Sequence, residues 1–292
     1  MLRRLPPQTM LKGAVTCLVV CCSVVATASP YTDLLDNLNP LSNWRLGESS
    51  GTTATDAETV SNGTYRNGVL LGQTGAISGD TNTSVDFDGA DDHIEIPHHS
   101  SYLLDDGTVI LWFRADDTTG RQDLFSKDAN GFVNGGHLTI YLNGSTLIAR
   151  QQSSSTSYSI QTTGVTASTW HMVAYTWGAG GMRLYMNGLP VASDAYTGGL
   201  GTTSGGSGNT EPIAIGANTW QSNTGQITPL QDYFDGRIDE VSMFDTALSP
   251  GDISNLYQAG RGNVFYVRTD GNDSNSGNGS STTQAWASVS AA

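Results

Sequence analysis

The stretch FDGRIDEVSMFDTALSPGDISNLYQAG, residues 234–260, joins one strand to one helix. Its first part, FDGRIDEVSMF, has the length and the apolar content of a β-strand. We expect Ile238, Val241 and Phe244 to be buried. The acidic residues between them raise the question of whether they form a catalytic pair, a metal site or ordinary surface.

The second part of this stretch, SPGDISNLYQAG, predicts a short helix with clear ends. Ser249 is a favourable N-cap and Pro250 suits the first helical position. Asp252 completes the spacing of a capping box, and Gly260 can end the helix in the left-handed conformation. The face expected to pack on the rest of the molecule consists of Ile253, Leu256 and Tyr257.

The chain before this helix reads as strands separated by turn residues, and no helix is expected before Ser249. In TVILWFRAD, residues 108–116, both faces begin with apolar residues, which is typical of a strand in the middle of a sandwich. YLNG and YMNG each place Asn-Gly after a strand, which favours a type I′ hairpin turn. The sequence therefore predicts an all-β, two-sheet antiparallel sandwich with one short C-terminal helix.

Composition excludes several classes of function. The 292 residues include 35 glycines, and 13 Lys and Arg stand against 27 Asp and Glu, for a formal net charge of −14. Without a basic stripe, the chain cannot displace the counterions of nucleic-acid phosphates, and an anionic lipid surface would repel it. We expect no nucleic-acid partner. The oligomeric state cannot be derived from composition.

Residues 1–28 have the pattern of a signal peptide: a basic start, an apolar run and Ala-Thr-Ala before the expected cleavage after Ala28. The alternative is an uncleaved membrane anchor, although the run is short for a bilayer span. All three cysteines lie in this segment. Cleavage would leave a secreted or surface protein without disulfides or cysteine ligands and without membrane insertion.

Five motifs, in this order, resemble the LamG-like jelly-roll domains of the concanavalin A-like lectin/glucanase superfamily. They are NPLSNWRLGESSGTTATDAE, GTYRNGVLLGQTGAISGDTNTSVDFDGADDHIEIP, WHMVAYTW, LYMNGLPV and FDGRIDEVSMFDTALSPGDISNLYQAG. The resemblance implies one domain over residues 29–262, a jelly-roll sandwich of about a dozen strands. Such a domain is usually a non-catalytic module of a multidomain secreted protein, but the fold alone does not define a ligand.

Residues 263–292, NVFYVRTDGNDSNSGNGSSTTQAWASVSAA, resemble the entry to a right-handed parallel β-helix of the pectate-lyase-like kind. One partial coil cannot be stable by itself, because each coil buries its face on the next. The segment is therefore expected to be the start of a second domain, and any catalysis of the parent protein is expected there. The alternative is a Gly/Ser-rich linker.

Calcium is the sharpest chemical hypothesis, because it takes six to eight oxygen ligands and three Asp-rich segments offer them. The resemblance places a structural calcium site where the early and late strands meet. We expect Asp56 and Asp239 to bind through their side chains and the backbone around Asp88 and Gly89 to add carbonyl oxygens. The alternative is that FDG is a tight turn and that Asp239 pairs locally.

Catalysis within the sandwich is the less favoured hypothesis. Asp86 with Asp88, and Asp235 with Asp239, have the spacing of paired carboxylates on one strand face. Both pairs lie at FDG turns that the family uses structurally, and the Glu-x-Asp-x-x-Glu pattern of laminarinase-type relatives is missing from the sequence. The alternative of a concanavalin A-like polysaccharide lyase or glycoside hydrolase stays open.

Sugar recognition is favoured, since exposed aromatic side chains with polar neighbours are typical of glycan sites. The candidate ligand-binding residues are Trp112, Arg114, Trp177 and Trp220. Trp177 and Trp220 lie at Gly/Asn-rich loops, where a large aromatic side chain has little core to fill and is expected to be exposed, whereas core packing is the alternative for Trp112. Trp44 and Trp170 are assigned to the core. The sequence thus predicts a secreted carbohydrate-binding or adhesion module that binds a polysaccharide or glycoconjugate. A structural spacer that binds no glycan is a further alternative.

Overall fold

The structure is a computed structural model that describes residues 29–132 and 134–262. The predicted signal peptide, residues 1–28, and the predicted β-helix start or linker, residues 263–292, lie outside the described residues. The helix α1 (Pro30–Asn37) opens the described chain and α2 (Pro250–Gly260) closes it. Two 3-10 turns are formed by Ser100–Tyr102 and Thr202–Ser204.

The first of two antiparallel sheets contains the strand that was predicted for FDGRIDEVSMF, residues 234–244. Its eight strands are β1 (Ser42–Trp44), β4 (Leu70–Thr74), β5 (Thr83–Asp88), β7 (Gly107–Ala115), β12 (His171–Trp177), β13 (Met182–Met186), β14 (Leu189–Asp194) and β16 (Asp235–Phe244). They follow the order β14-β13-β12-β7-β16-β5-β4, and β1 pairs with β16 at one side. Early and late strands are therefore neighbours in this sheet.

The second sheet also has eight strands. They are β2 (Thr53–Ala54), β3 (Gly63–Arg66), β6 (His93–Ile96), β8 (Arg121–Lys127), β9 (His137–Asn143), β10 (Thr146–Gln152), β11 (Ser157–Thr163) and β15 (Ile213–Ile215). They follow the order β11-β10-β9-β8-β15-β6-β3-β2. The predicted two-sheet antiparallel sandwich with a short C-terminal helix is confirmed.

Strand β7 shows why both of its faces are apolar. Val109, Leu111 and Phe113 belong to the main core between the sheets. Ile110 and Trp112, on the other face, belong to a second apolar cluster that includes residues of both helices. A central strand that is covered on both sides needs apolar side chains at successive positions, as the sequence of β7 predicts.

The expectation of no helix before Ser249 is wrong, because α1 forms at the start of the described chain. Ser29 is its N-cap, accepting a hydrogen bond from the Thr32 N–H, and a proline follows at the first position. Tyr31 and Leu35 are fully buried in the second cluster. Helix α1 thus joins α2 in covering the outer face of the first sheet.

The predicted capping box of α2 is present, with Ser249 and Asp252 bonding reciprocally. Gly260 does not end the helix in the left-handed conformation, however. That conformation occurs at Gly262, whose φ is +77°. Gly260 is required for a different reason: a Cβ there would lie 2.5 Å from Cζ2 of Trp112.

The two Asn-Gly hairpins differ. Asn187 and Gly188 both have positive φ and connect β13 to β14, as a type I′ turn requires. In the β9–β10 hairpin Asn143 is still paired in its strand, and the turn consists of Gly144 and Ser145. Only Gly144 has a positive φ there. The type I′ prediction is therefore right for the β13–β14 hairpin and wrong for the β9–β10 hairpin.

Within residues 29–132 and 134–262, none of the helices combines the length and the apolar character needed to cross a membrane.

Candidate functional site

The two FDG motifs, residues 87–89 and 234–236, meet at one end of the sandwich and bring two loops together there. Asp88, the last residue of β5, pairs with Asp235, the first residue of β16. Gly89 follows with a φ of +71°, and its N–H donates to the carbonyl of Phe234 at 3.1 Å. The N–H of Asp116, after β7, donates to the carbonyl of Asp235 at 3.0 Å. The β5–β6 and β7–β8 loops are thereby held beside β16.

An open pocket of about 370 Å³ lies between these loops, and we call it the acidic pocket. Its wall contains four carboxylates, one guanidinium and one tyrosine. The lining residues are Asp88, Gly89, Asp117, Thr119, Arg121, Gln122, Asp232, Tyr233 and Asp235. A concave polar site of this size suits a small polar ligand.

Gln122 organises the floor of the acidic pocket. Its Nε2 donates to Oδ1 of Asp117 at 3.1 Å, and its Oε1 accepts the Asp235 N–H at 3.1 Å. Asp117 Oδ1 also accepts the Thr119 N–H at 2.7 Å, which closes the β7–β8 loop. One side-chain amide therefore ties that loop to β16.

The guanidinium of Arg121 is already engaged within the protein. Its Nε lies 2.9 Å from Oδ2 of Asp123 and 3.2 Å from Oδ2 of Asp232, and it stacks 3.9 Å over the ring of Tyr141. Burial raises the pKa of Asp123 to about 7, against the opposing effect of Arg121. Little positive charge is left to neutralise the carboxylates that face solvent.

The pocket carboxyls differ in acidity. Backbone N–H groups, that of Ala90 first, lower the pKa of Asp88, which favours its ionised form. Burial, aided by the charge of Asp116, raises the pKa of Asp235. Asp88 is therefore more readily ionised than Asp235, its neighbour across the two strands.

A second acidic group adjoins the pocket through Asp88. Carboxylate oxygens of Asp88, Asp91 and Asp92 lie within 4.8 Å of one another. Asp88 and Asp91 are exposed, whereas Asp92 is only 4% exposed. Burial, together with the charge of Asp88, raises the pKa of Asp92 to about 6.

The four residues expected to hold calcium do not form one site. The buried carboxylate of Asp56 is saturated by four backbone N–H donors, those of Asn43, Glu58, Val60 and Ser61, at 2.9–3.1 Å. Asp88 and Gly89 lie at the Asp235 end of β16, and Asp239 is four residues further along, about 13 Å at the usual rise of a strand. Calcium does not fit this set.

Asp239 instead belongs to a buried charge network. Its Oδ2 accepts the Ala76 N–H at 2.7 Å, and its neighbour Glu240 is bound by the guanidinium of Arg45 at 2.6 Å. The same guanidinium reaches Asp80 at 2.9 Å. An arginine thus supplies the positive charge where the sequence predicted a metal, because the fold brings residue 45 of the early chain against β16.

Two of the four predicted ligand-binding residues are inaccessible. Trp112 and Trp177 are fully buried. The expectation that Trp177 is exposed is wrong: its ring covers Gly107, where a Cβ would lie 2.2 Å from its Cζ2. Arg114 pairs with Asp116 at 2.7 Å on the first sheet. Trp220 is 39% exposed in the loop after β15 of the second sheet.

The structure does not bring Arg114 and Trp220 onto the same sheet, and it places neither in the wall of the acidic pocket. Of the two tryptophans assigned to the core, Trp44 is fully buried and Trp170 is half-buried against the second cluster.

Sequence reasoning missed Asp117, Gln122, Asp232 and Tyr233. They come from two segments more than one hundred residues apart in the chain, so no local spacing connects them. The only signal in the sequence was the position of Asp232 and Tyr233 directly before the second FDG motif, residues 234–236.

A polar cluster on the second sheet contains the residue types that polysaccharide chemistry uses. Nδ1 of His137 lies 2.9 Å from Oδ1 of Asp128, which also binds Arg150. His137 Nε2 and Glu211 Oε1 have no partner among the described residues. His137, Asp128 and Glu211 are fully buried, so this cluster is closed to a polysaccharide in this structure.

Comparison with known proteins defines the family. The Laminin_G_3 profile, described as the concanavalin A-like lectin/glucanases superfamily, matches residues 88–254, more than half of the chain. The chain belongs to this family. No curated protein matches the sequence.

Solved structures share the fold at low identity. Domain 4 of AbnA, an extracellular arabinanase of Geobacillus stearothermophilus solved with arabinotriose, has a TM-score of 0.57 and 17% identity over 75% of this chain and 98% of its own. The ligand-binding domain of botulinum neurotoxin serotype D, solved with N-acetylneuraminic acid, has a TM-score of 0.56 and 14% identity over 79% of this chain. The match spans 52% of that toxin chain.

Proposed function

We propose that this protein is a non-catalytic glycan-binding module of a secreted or cell-surface protein, and that neutral glycans bind in its acidic pocket. The observation that carries the proposal is the open wall of carboxylates, amide and tyrosine around about 370 Å³. Sugar hydroxyls donate hydrogen bonds to such carboxylates, and a sugar ring packs on an aromatic side chain.

The charge of the pocket supports neutral glycans over acidic ones. Four carboxylates line it against one guanidinium, and that guanidinium already contacts Asp123 and Asp232. A uronate or sialate carboxylate would meet like charges, which disfavours binding. Arabinotriose, the ligand in the arabinanase domain, is neutral and is therefore the first probe.

The wider context is part of this proposal. The signal-like residues 1–28 would direct export, and residues 263–292 would lead into a polysaccharide-degrading β-helix that the module targets to its substrate. The alternative of a lyase or hydrolase within the sandwich is less favoured, because its best set, His137 with Glu211, is shut from solvent.

Calorimetric titration of the full chain with arabinotriose and other neutral oligosaccharides tests the proposal. Tyr233→Ala and Asp117→Asn should each weaken binding about tenfold, since each removes one main contact of the pocket. Asp117 is exposed, so its variant should fold normally. Trp220→Ala is the matched control because it removes an exposed aromatic outside the pocket.

Two results would contradict this placement. If acidic oligosaccharides bound more tightly than neutral ones, the charge argument would be wrong. If Trp220→Ala abolished binding while both pocket variants retained it, the glycan site would lie at the loop after β15. Release of unsaturated or reducing ends by this chain would support the enzyme alternative.

A further inference from the structure

The inference concerns the loop between β5 and β6, residues 88–92, which we call the DGADD loop. Its three carboxylates approach within 4.8 Å of one another. Exposed acidic groups commonly do so without a ligand, so this proximity alone assigns nothing. The side chain that distinguishes the loop is Asp92.

Asp92 is buried in a way that leaves part of its carboxylate without compensation. It is 4% exposed, and its Oδ1 has no hydrogen-bond partner among the residues that the structure describes. Its Oδ2 accepts only the long 3.3 Å bond from the Asp88 N–H. A buried carboxylate oxygen without a donor is costly unless a proton or a cation satisfies it.

The basic residues near this loop are already engaged elsewhere. Arg66, at the end of β3, pairs with Glu95 at 2.7 Å, and Arg237 lies 3.5 Å from Asp86. Neither ion pair includes a carboxylate of the DGADD loop. The loop therefore concentrates negative charge that a diffusible cation can neutralise.

The backbone of the loop is held in place independently of any ion. Oδ1 of Asp88 accepts the Ala90 N–H at 2.9 Å, and the carbonyl of Asp91 accepts Nδ2 of Asn67 at 2.9 Å. Nδ1 of His93 lies 3.0 Å from that same carbonyl. The three carboxylates are thus presented by a turn whose shape is already defined, which lowers the entropic cost of binding.

We propose that Asp88, Asp91 and Asp92 bind one divalent cation of the calcium type at the rim of the acidic pocket. Carboxylate oxygens are the ligands that calcium prefers, and water can complete a site that is open on the side of Asp88 and Asp91. This site differs from the one that the sequence predicted, since it excludes Asp56 and Asp239. It does not depend on glycan binding.

Thermal unfolding of the full chain tests the proposal, in chelator and in rising calcium chloride. Extracellular modules bind calcium with dissociation constants of about 0.1–1 mM. By mass action, about 10 mM calcium should then raise the melting temperature by roughly 3–10 °C. Calorimetric titration should show one ion per chain. No shift and no binding heat would overturn the proposal.

Asp92→Asn separates a cation ligand from a merely structural residue. The amide keeps the shape of the side chain but removes the buried charge, so this variant should melt higher than the wild type in chelator and should lose the calcium shift. A structural role alone predicts a lower melting temperature in chelator. A retained calcium shift would overturn the assignment.

Two further variants keep the test decisive. Asp91→Asn changes an exposed residue and should weaken calcium binding about tenfold even if Asp92→Asn fails to fold. Asp239→Asn changes the residue of the earlier prediction and should retain the full shift. If only Asp239→Asn abolished the shift, calcium would bind in the buried network instead. Glycan titrations in chelator report separately on the acidic pocket.

Discussion

The two ends of the DGRIDE segment, residues 235–240 of β16, hold carboxylates four residues apart in the chain, yet the protein treats them in opposite ways. At the first end, Asp235 lies beside Asp88 in an open pocket with little compensating positive charge. At the other end, Asp239 and Glu240 are buried, and Arg45 binds Glu240. The first arrangement leaves acceptors open to a ligand. The second shuts them away from solvent, where Arg45 binds Glu240 and Oδ2 of Asp239 accepts the Ala76 N–H, although Oδ1 of Asp239 has no partner among the described residues.

This difference shows that an Asp-rich motif does not by itself identify a binding site. Both ends of DGRIDE offer carboxylates with suitable spacing, but burial and internal partners decide which carboxylates stay available. The buried end stabilises the packing of the early chain on β16. The open end is where we place the functional chemistry.

The largest expected effect comes from breaking the compensation at the buried end. Arg45→Met leaves Glu240, which is fully buried, and Asp80 without their cation. Removal of one partner of a buried ion pair typically costs about 3–5 kcal/mol, and we expect a loss of about 3 kcal/mol in the free energy of unfolding. Denaturant unfolding measures it.

Arg66→Met is the matched control for this variant. Arg66 also forms an arginine–glutamate pair, with Glu95, but both side chains are substantially exposed. Its loss should cost less than about 1 kcal/mol. Equal losses in the two variants would show that burial does not distinguish the two pairs.

An intermediate effect is expected beside the open end, where Gly89 belongs to the FDG turn of residues 87–89 that packs on Asp235. Its φ is +71°, and a Cβ would lie 2.9 Å from Cβ of Asp235. Gly89→Ala should therefore lower the free energy of unfolding by about 2 kcal/mol, because strain and overlap add. Gly79→Ala has a similar φ of +77° with nothing within 4 Å and should lose only about 1 kcal/mol.

The comparison of these two glycine variants by denaturant unfolding isolates the contact with Asp235. If both lost the same stability, the close approach of the turn to β16 would not matter, and the pocket wall would be less rigid than the structure indicates.

The smallest expected effect is the pH dependence that Asp239, at the buried end, gives to the free energy of unfolding. Burial and the charge of Glu240 raise the pKa of Asp239 well above its usual value. The folded chain then binds more protons than the unfolded chain above about pH 4, so this group's contribution to stability falls as pH rises. Asp239→Asn removes that dependence.

We expect Asp239→Asn to match the wild type near pH 4 and to exceed its free energy of unfolding by about 1 kcal/mol at pH 8. The Asn Oδ1 can still accept the Ala76 N–H that Asp239 accepts at 2.7 Å. Unfolding curves at both pH values measure the difference. A variant less stable than the wild type at pH 8 would show that the ionised carboxylate contributes favourably.

Local patterns were sufficient for most of the fold. The apolar faces of β7 predicted a central strand, and Ser249 with Asp252 predicted the capping box of α2. Helix α1 was missed although Ser29 and Pro30 are ordinary start signals, because its eight residues span little more than two turns and give only a weak helical period. Asn143 was misassigned to the turn because Asn-Gly does not define where pairing ends.

The sequence by itself determined the two-sheet sandwich, the C-terminal helix and the membership of the concanavalin A-like superfamily. The sandwich and the helix depend on periodicity and capping, which are properties of neighbouring residues, and the membership depends on the resemblance of the ordered motifs to the family. Only the tertiary structure decided which acids face solvent, that Arg45 neutralises Glu240, and that Gln122 meets Asp235 across the β7–β8 loop. Such contacts join residues far apart in the chain, and their energies depend on burial, which no local pattern records.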